Sequence, residues 1–278
     1  MDLGLKFDLH VHTPFSDGQR DIDSVLKALI RQGVQIVGFA DHIFPTQRCF
    51  SKTMLEYRKM VFRRYEKKYP QIRILVGGEI DIYPHGGLSL PPGVGPDHFD
   101  YLLVAHHHTL PKQLDFMFKR TPKAEKWAWK HTWYLRLNKH MWKRATYYAM
   151  TRYPIDILAH VQEGLPRYMT DDEYKQFVLY CKKYNVAIEL NQTPVPLPRR
   201  FPNFVKKYRM RLDPLLDYAK QYHVKFSVAS DFHGFGTDWE RRKLADYLDA
   251  VYWIVEHWDL DLLDPTQFLP ENRGKYPR

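Results

Sequence analysis

Phe7-Asp8-Leu9-His10-Val11-His12-Thr13-Pro14-Phe15-Ser16-Asp17-Gly18 is the stretch from which the rest of the chain can be read. Two histidines separated by one residue, at the end of an apolar run, project to the same side of a strand because side chains alternate faces with period two. Both imidazoles can then reach one metal ion. Asp17 follows in a Ser-Asp-Gly turn, where a short carboxylate can fold back and add an oxygen donor beside the nitrogens. Alone, a His-x-His pair is weak support for a metal, since it fits a polar strand end as well.

The pattern recurs down the chain. Val34-Gln35-Ile36-Val37-Gly38-Phe39-Ala40 ends in Asp41-His42, and Ile72-Arg73-Ile74-Leu75-Val76-Gly77-Gly78 ends in Glu79-Ile80-Asp81. Tyr101-Leu102-Leu103-Val104-Ala105 runs into His106-His107-His108, and Ile155-Asp156-Ile157-Leu158-Ala159 stops at His160. Val186-Ala187-Ile188-Glu189-Leu190 stops at Asn191, and Val224 to Ala229 at Ser230-Asp231-Phe232-His233. Parallel strands separated by helices would bring all these polar ends to one mouth of a TIM-like barrel, where sites of that architecture are built.

At 278 residues the chain is long enough for one such barrel, which commonly takes about 250, so a single domain over residues 1–278 is expected. A composition of 44% hydrophobic and 27% charged residues is globular. No run reaches the roughly 18–20 apolar residues of a membrane helix, and no membrane partner is expected. Residues 1–6 lack a basic n-region followed by an apolar stretch, which predicts no secretory leader. Cys49 and Cys181 offer neither thiolate zinc spacing nor a disulfide framework, so a cytoplasmic setting is expected. A net charge of +10 favours anionic partners without selecting among phosphorylated metabolites, nucleic acid and a membrane surface.

Helical periodicity fills the intervals. Val25 to Ile30 leads to a stop at Gly33, Leu55 to Phe62 continues to Tyr69-Pro70, and Thr170-Asp171-Asp172-Glu173 is an N-terminal cap. Asp213-Pro214 starts another helix, and a last one is expected from Asp238 through Trp253, before a C-terminal tail from about residue 258. A stretch at about 109–152 is too long for a simple connection and reads as a basic, aromatic helical insertion beside the mouth. From Pro111 to Arg152 it holds eleven Lys/Arg, two Asp/Glu and nine aromatics, among them Trp127, Trp129, Trp133 and Trp142. The favoured reading packs these aromatics on the barrel; the other has them stack bases while the cations hold phosphates.

Taken together, His10-x-His12 with Ser16-Asp17-Gly18, Ala40-Asp41-His42, Gly78-Glu79, a histidine after the fourth strand, Ala159-His160 and Ser230-Asp231-x-His233 resemble the polymerase and histidinol phosphatase family, the PHP domain. The resemblance runs from residue 7 to residue 233 with every block in the family's order. It implies a distorted TIM-like (β/α)7 barrel with a cluster of two or three divalent ions at the C-terminal mouth. Carried over position by position, His10 and His12 would hold one ion with Asp231 and Glu79. Glu79 would bridge to a second, bound by the fourth-strand histidine and His160, and Asp17, His42 and His233 would hold a third. Family members resembling histidinol phosphatase usually place a histidine where this chain has Gly18; the Asp17 form is closer to members acting on nucleotides or DNA. In the family the fourth-strand ligand usually lies seven residues after an aspartate that opens the strand. Asp100 then gives His107, with His106 in reserve, although alternation alone says only that His106 and His108 share a face and His107 takes the other. Histidines 85, 98, 131, 140, 223 and 257 read as ordinary surface or core residues, His85 being the one to inspect first.

Such a centre carries an excess of positive charge and expects an anionic substrate. Closely spaced ions can bridge a hydroxide, clamp phosphate oxygens and stabilise a leaving oxygen, which suits phosphate ester hydrolysis. Asp231 could take the proton of the attacking water. Arg167, Arg199 and Arg200, just past the fifth and sixth strands, are candidates to hold the substrate phosphate. Mixed nitrogen and oxygen ligation suits zinc, manganese or iron. The leading expectation is a metal-dependent phosphatase acting on a small phosphorylated metabolite or nucleotide. The alternatives are a nuclease, a 3′-5′ exonuclease or an endonuclease, and a non-catalytic nucleic-acid-binding module.

Overall fold

The computed structural model describes residues 4–43, 51–107, 132–161, 169–191, 212–234 and 239–272. Seven parallel strands form a nearly closed barrel: β1 (Phe7–Val11), β2 (Ile36–Phe39), β4 (Arg73–Asp81), β5 (Tyr101–Ala105), β6 (Ile157–Leu158), β7 (Ala187–Leu190) and β8 (Phe226–Val228), paired in that order. The short β3 (His42–Ile43) carries the line of β2 past Ala40-Asp41 and also pairs with β4, His42 opposite Glu79. The seam between first and last strands is stitched at the mouth. Val11 bridges Phe232, the Asp231 amide donates to the His10 carbonyl (2.8 Å), and the His12 amide donates to the Phe232 carbonyl (3.0 Å).

These segments are strands because both of their faces are covered, which favours unbroken apolar runs over alternation. Every residue of β1, β2, β5, β7 and β8 is buried. One close approach fills the interior. The buried Tyr101 crosses in front of Gly38 and Gly77, where a Cβ would meet its hydroxyl or ring at 2.2 and 2.3 Å, and its hydroxyl donates to the Leu9 carbonyl. Larger residues at either glycine would expel it.

The helices cover the outside: α1 (Ile22–Arg31), α2 (Lys52–Lys68), α3 (Thr132–Arg152), α4 (Asp171–Lys183), α5 (Leu212–Gln221) and α6 (Trp239–Trp258). Asp21 caps α1, and Gly33 follows it with φ +76, where a residue without Cβ is at ease. Thr170 and Glu173 close a reciprocal capping box on α4, and Glu173 also accepts from Lys139 (2.9 Å) and Lys143 (3.0 Å) of α3. The last helix runs to Trp258 where the sequence suggested Trp253, because Val251, Ile254 and Val255 extend its buried stripe.

Of the expected insertion, residues 132–152 are α3, the helix between β5 and β6. Its buried Trp142, Ala145 and Ala149 face the barrel, with the Trp142 ring 5.5 Å from Phe177. Trp142 is therefore a packing residue. Residues 108–131, with Trp127 and Trp129, lie outside the described residues. Among the described residues no helix is long and apolar enough to cross a membrane.

Candidate metal centre

Period two along β1 places Asp8, His10 and His12 on the same face, and all three are buried. His42 and Glu79 meet through the β3–β4 register, and His107 and His160 follow the ends of β5 and β6. Asp231 and His233 follow β8. His160 (φ 28) and Asp231 (φ 52) adopt left-handed backbone, conformations that cost non-glycine residues energy and are retained where geometry demands them.

Asp17 is delivered by a tight turn in which the amides of Ser16 and Gly18 both donate to the Thr13 carbonyl at 3.0 Å. A Cβ at Gly18 would stand 2.7 Å from the backbone of His12 and Thr13, so a histidine there is incompatible with this turn. Below the turn, Asp41 accepts from the Thr13 amide (2.7 Å), the Thr13 hydroxyl (2.9 Å) and the Ser16 hydroxyl (2.8 Å). The fully buried Arg58 of α2 donates to Asp41 (2.8 Å) and to the carbonyls of Gly77 (2.9 Å) and Phe39 (2.7 Å).

Glu79 is the hub. Its Oε1 lies 2.8 Å from His160 Nε2 and 3.3 Å from His107 Nε2. Among the described residues its buried Oε2 has no partner in hydrogen-bonding geometry, yet lies 2.6 Å from His42 Nδ1 and 3.5 Å from the Nε2 atoms of both His10 and His12. Those two Nε2 atoms are 3.1 Å apart, and Asp231 Oδ1 is 3.5 and 3.3 Å from them. Bonds of about 2.0–2.2 Å in tetrahedral array set ligand atoms about 3.3–3.6 Å apart, so His10, His12 and Asp231 have the spacing of one coordination shell, and Glu79 Oε2 stands at that distance from both histidines. On the rim, Asp17 Oδ2 is 3.6 Å from His42 Nε2 and 3.4 Å from His233 Nε2. Three sets, His10–His12–Asp231, His42–Glu79–His107 and His12–Asp17–His42–His233, each gather their donor atoms within 4.8 Å. These sets hold eight of the nine candidates, the ninth, His160, joining through its 2.8 Å approach to Glu79, and the donors fit divalent zinc, manganese or iron.

The charges agree with a cation site. Burial disfavours the protonated imidazoles, but Asp17 and Glu79 outweigh it and carry His42 up to about 9. Burial is likewise overcome at His107, which Asp81 and Glu79 raise to about 10. Glu79 is pushed up by burial and pulled further down by His10, His107 and His160, so it stays ionised. The cluster takes up positive charge, as protons or as metal ions.

The two described members of the triple histidine part company. His107 faces Glu79 and gives Nδ1 to Asp81 at 2.5 Å. His106 turns to α3, where Nε2 lies 2.7 Å from the Thr146 hydroxyl, and burial pushes its pKa down to about 3. The Thr146 hydroxyl spends its proton on the Trp142 carbonyl (2.7 Å), so His106 is the donor in that pair. His108, Arg167, Arg199 and Arg200 lie outside the described residues. His85 is exposed and stacks on Tyr83, with ring centroids 5.6 Å apart.

Sequence reasoning did not assign Asp81, Glu189 or the Asp41–Arg58 pair to the site. Glu189 accepts from His10 Nδ1 (2.8 Å) and from the His160 amide (2.9 Å). The available signal was a charged residue at a core position, Glu189 between Ile188 and Leu190 and Arg58 in line with Leu55 and Phe62. Such a charge requires a buried partner.

The fold and the convergent donors define a parallel α/β barrel with a cluster of histidines and carboxylates able to hold metal at its C-terminal mouth. Residues 8–193 match the PHP domain, and the chain belongs to that family. It is 26% identical over 211 residues to the DNA polymerase/3′-5′ exonuclease PolX of Bacillus subtilis (strain 168), a match covering 74% of this chain and 32% of that protein. It is 38% identical over 103 residues to a probable phosphatase of Aliivibrio fischeri (strain MJ11), covering 37% of each. The matches span about a third of the length of these curated relatives. Among solved structures, histidinol phosphate phosphatase from Lactococcus lactis, complexed with zinc, L-histidinol and phosphate, superimposes with a TM-score of 0.62 at 15% identity, over 93% of this chain and 95% of that one. That likeness establishes the barrel.

Proposed function

We propose that the chain is a metal-dependent phosphoric ester hydrolase, a phosphatase acting on a small phosphorylated metabolite or nucleotide. The observation that carries the reading is the cluster of His10, His12 and Asp231, whose donor atoms lie 3.1–3.5 Å apart, with Glu79 Oε2 3.5 Å from both imidazoles, separations suited to ligands around one ion. In this reading His107, His160 and Glu79 hold a second ion, and Asp17, His42 and His233 a third. Divalent ions there supply a nucleophile from water at neutral pH and neutralise phosphate oxygens.

The side chains divide the remaining work. Glu79 and His10 sit at the floor, fully shielded, while Asp17 (44% side-chain exposure) and His107 (29%) form the open rim by which an ester approaches. Six neutral imidazoles against three ligand carboxylates leave the ion cluster with an excess of positive charge, which selects an anionic group. Asp231, 19% exposed and ionised, is the acceptor for the proton of the attacking water, and Arg167, Arg199 and Arg200 are the candidate grips on phosphate.

A second reading, a nuclease, is supported by the likeness to PolX over 74% of the chain and by the net charge of +10. The two separate in one assay: the purified protein with added manganese or zinc is given p-nitrophenyl phosphate, nucleoside monophosphates and end-labelled single-stranded DNA. Phosphate release without shortening of the DNA supports the phosphatase. Shortening of the DNA establishes the nuclease, and no metal-stimulated hydrolysis of any of them overturns both.

A further inference from the structure

We infer that Glu189 is a positioning residue of the metal centre, one carboxylate that selects the tautomer of His10 and braces the backbone of His160. The inference rests on the metal-centre reading above. β7 is the strand whose end supplies none of the nine candidate ligands, and Glu189 is what it contributes instead.

Glu189 is completely buried, with Oε2 2.8 Å from His10 Nδ1 and Oε1 2.9 Å from the His160 amide. An ionised carboxylate only accepts, so His10 Nδ1 carries the hydrogen. A neutral imidazole then has its lone pair on Nε2. That is the atom 3.1 Å from His12 Nε2 and 3.5 Å from both Asp231 Oδ1 and Glu79 Oε2. The other oxygen holds His160, whose φ of 28 is unfavourable for histidine and whose Nε2 lies 2.8 Å from Glu79. His10 and His160, stacked with centroids 6.0 Å apart, belong to different ion sites in the proposed arrangement. Glu189 thus ties the orientation of one site to that of the next. Partners of this kind typically change metal affinity about 10–100-fold when removed.

Glu189→Gln keeps the size but not the chemistry, since an amide has one acceptor and one donor end. If its oxygen takes the His160 amide, its NH2 faces His10 Nδ1 and drives the hydrogen to Nε2, which can then no longer ligate. The reverse flip sets NH2 against the His160 N–H. The experiment measures zinc per chain and zinc affinity for full-length wild type and Glu189→Gln, with 1H–15N spectra of the histidine rings in the zinc-loaded proteins. The expected result is a wild-type His10 protonated on Nδ1, and a variant of unchanged far-UV circular dichroism that binds zinc about 10–100-fold more weakly. Equal zinc number and affinity in the variant overturns the inference while leaving the metal centre intact. A wild-type His10 with its hydrogen on Nε2 also overturns it, whether or not the variant folds. A wild type that binds no zinc removes the metal-centre reading itself.

Discussion

Asp41 and Glu79 are both buried carboxylates, and they are neighbours, the Glu79 amide donating to the Asp41 carbonyl at 3.0 Å. Their surroundings are opposite in kind. Asp41 is answered inside the chain by the Arg58 guanidinium and by hydrogen bonds from Thr13 and Ser16. Among the described residues Glu79 pairs with no Lys or Arg and faces five imidazoles within 3.5 Å of its oxygens. Asp41 completes its charge balance by folding, whereas Glu79 completes it by taking up protons or metal from outside. The first carboxylate belongs to the scaffold, and the proposed function gives the second to the chemistry.

The contrast can be broken most forcefully at Glu79. Glu79→Gln removes the hub charge, and hydrolysis of p-nitrophenyl phosphate is expected to fall by at least about 100-fold together with bound metal, with circular dichroism unchanged. A variant that keeps its metal content would erase the distinction. Arg58→Met does the reverse: it strands Asp41 without a counter-ion, and urea denaturation of the metal-free proteins should show a loss of about 3–5 kcal/mol. The double variant Arg58→Met/Asp41→Asn should recover part of that loss, because the stranded charge is gone.

Solution pH sharpens the comparison from the other side. His42 and His107 have folded pKa values of about 9 and about 10 against 6.5 in the unfolded chain. In metal-free protein their contribution to stability is complete below pH 6.5 and lost as pH rises through about 9–10. Zinc or manganese held by these imidazoles would displace those protons, so metal is expected to bind more tightly as pH rises. The gap in melting temperature between metal-loaded and chelator-treated protein should widen from pH 6.5 to 9; a constant gap would contradict the origin assigned to the charge. The smallest effect is expected at Glu173, whose carboxyl burial raises and Lys139 and the Thr170 amide bring down to about 2. Its stabilisation is present above pH 4.5 and lost as pH falls through about 2. Glu173→Gln should cost about 1 kcal/mol at neutral pH and less in acid, read from urea midpoints.

Most candidate ligands were legible because they follow apolar runs, with His10 and His12 the clearest case of period two, while Asp17 lies in a turn and the grouping of all nine came from the family resemblance. The preference for His107 over His106 came from the resemblance, which sets the ligand seven residues after Asp100; alternation alone separated the two faces without saying which one looks into the mouth. What stayed hidden were partners set by tertiary distance. Glu189 meets His10 across 179 positions, and nothing local marks that pairing beyond a charge inside an apolar strand. Arg58 occupies a core position of α2 beside Leu55 and Phe62, and helical periodicity cannot say which acid it will find. The basic stretch was read as one unit, yet its second half is the helix that packs against the barrel, since Trp142, Ala145 and Ala149 fall on one helical face.

The stitched seam has a consequence for the order of assembly. The Ser230 amide reaches Asp8 across 222 positions, and the same edge carries Asp231 to His10. Contacts so distant in sequence form late, because the loop they close is nearly the whole chain. In the proposed arrangement, the site of His10, His12 and Asp231 is complete only once β8 has docked, whereas that of Glu79, His107 and His160 does not draw on β8. On that reading, the two sites would become able to hold an ion at different stages of assembly, the one that needs Asp231 last.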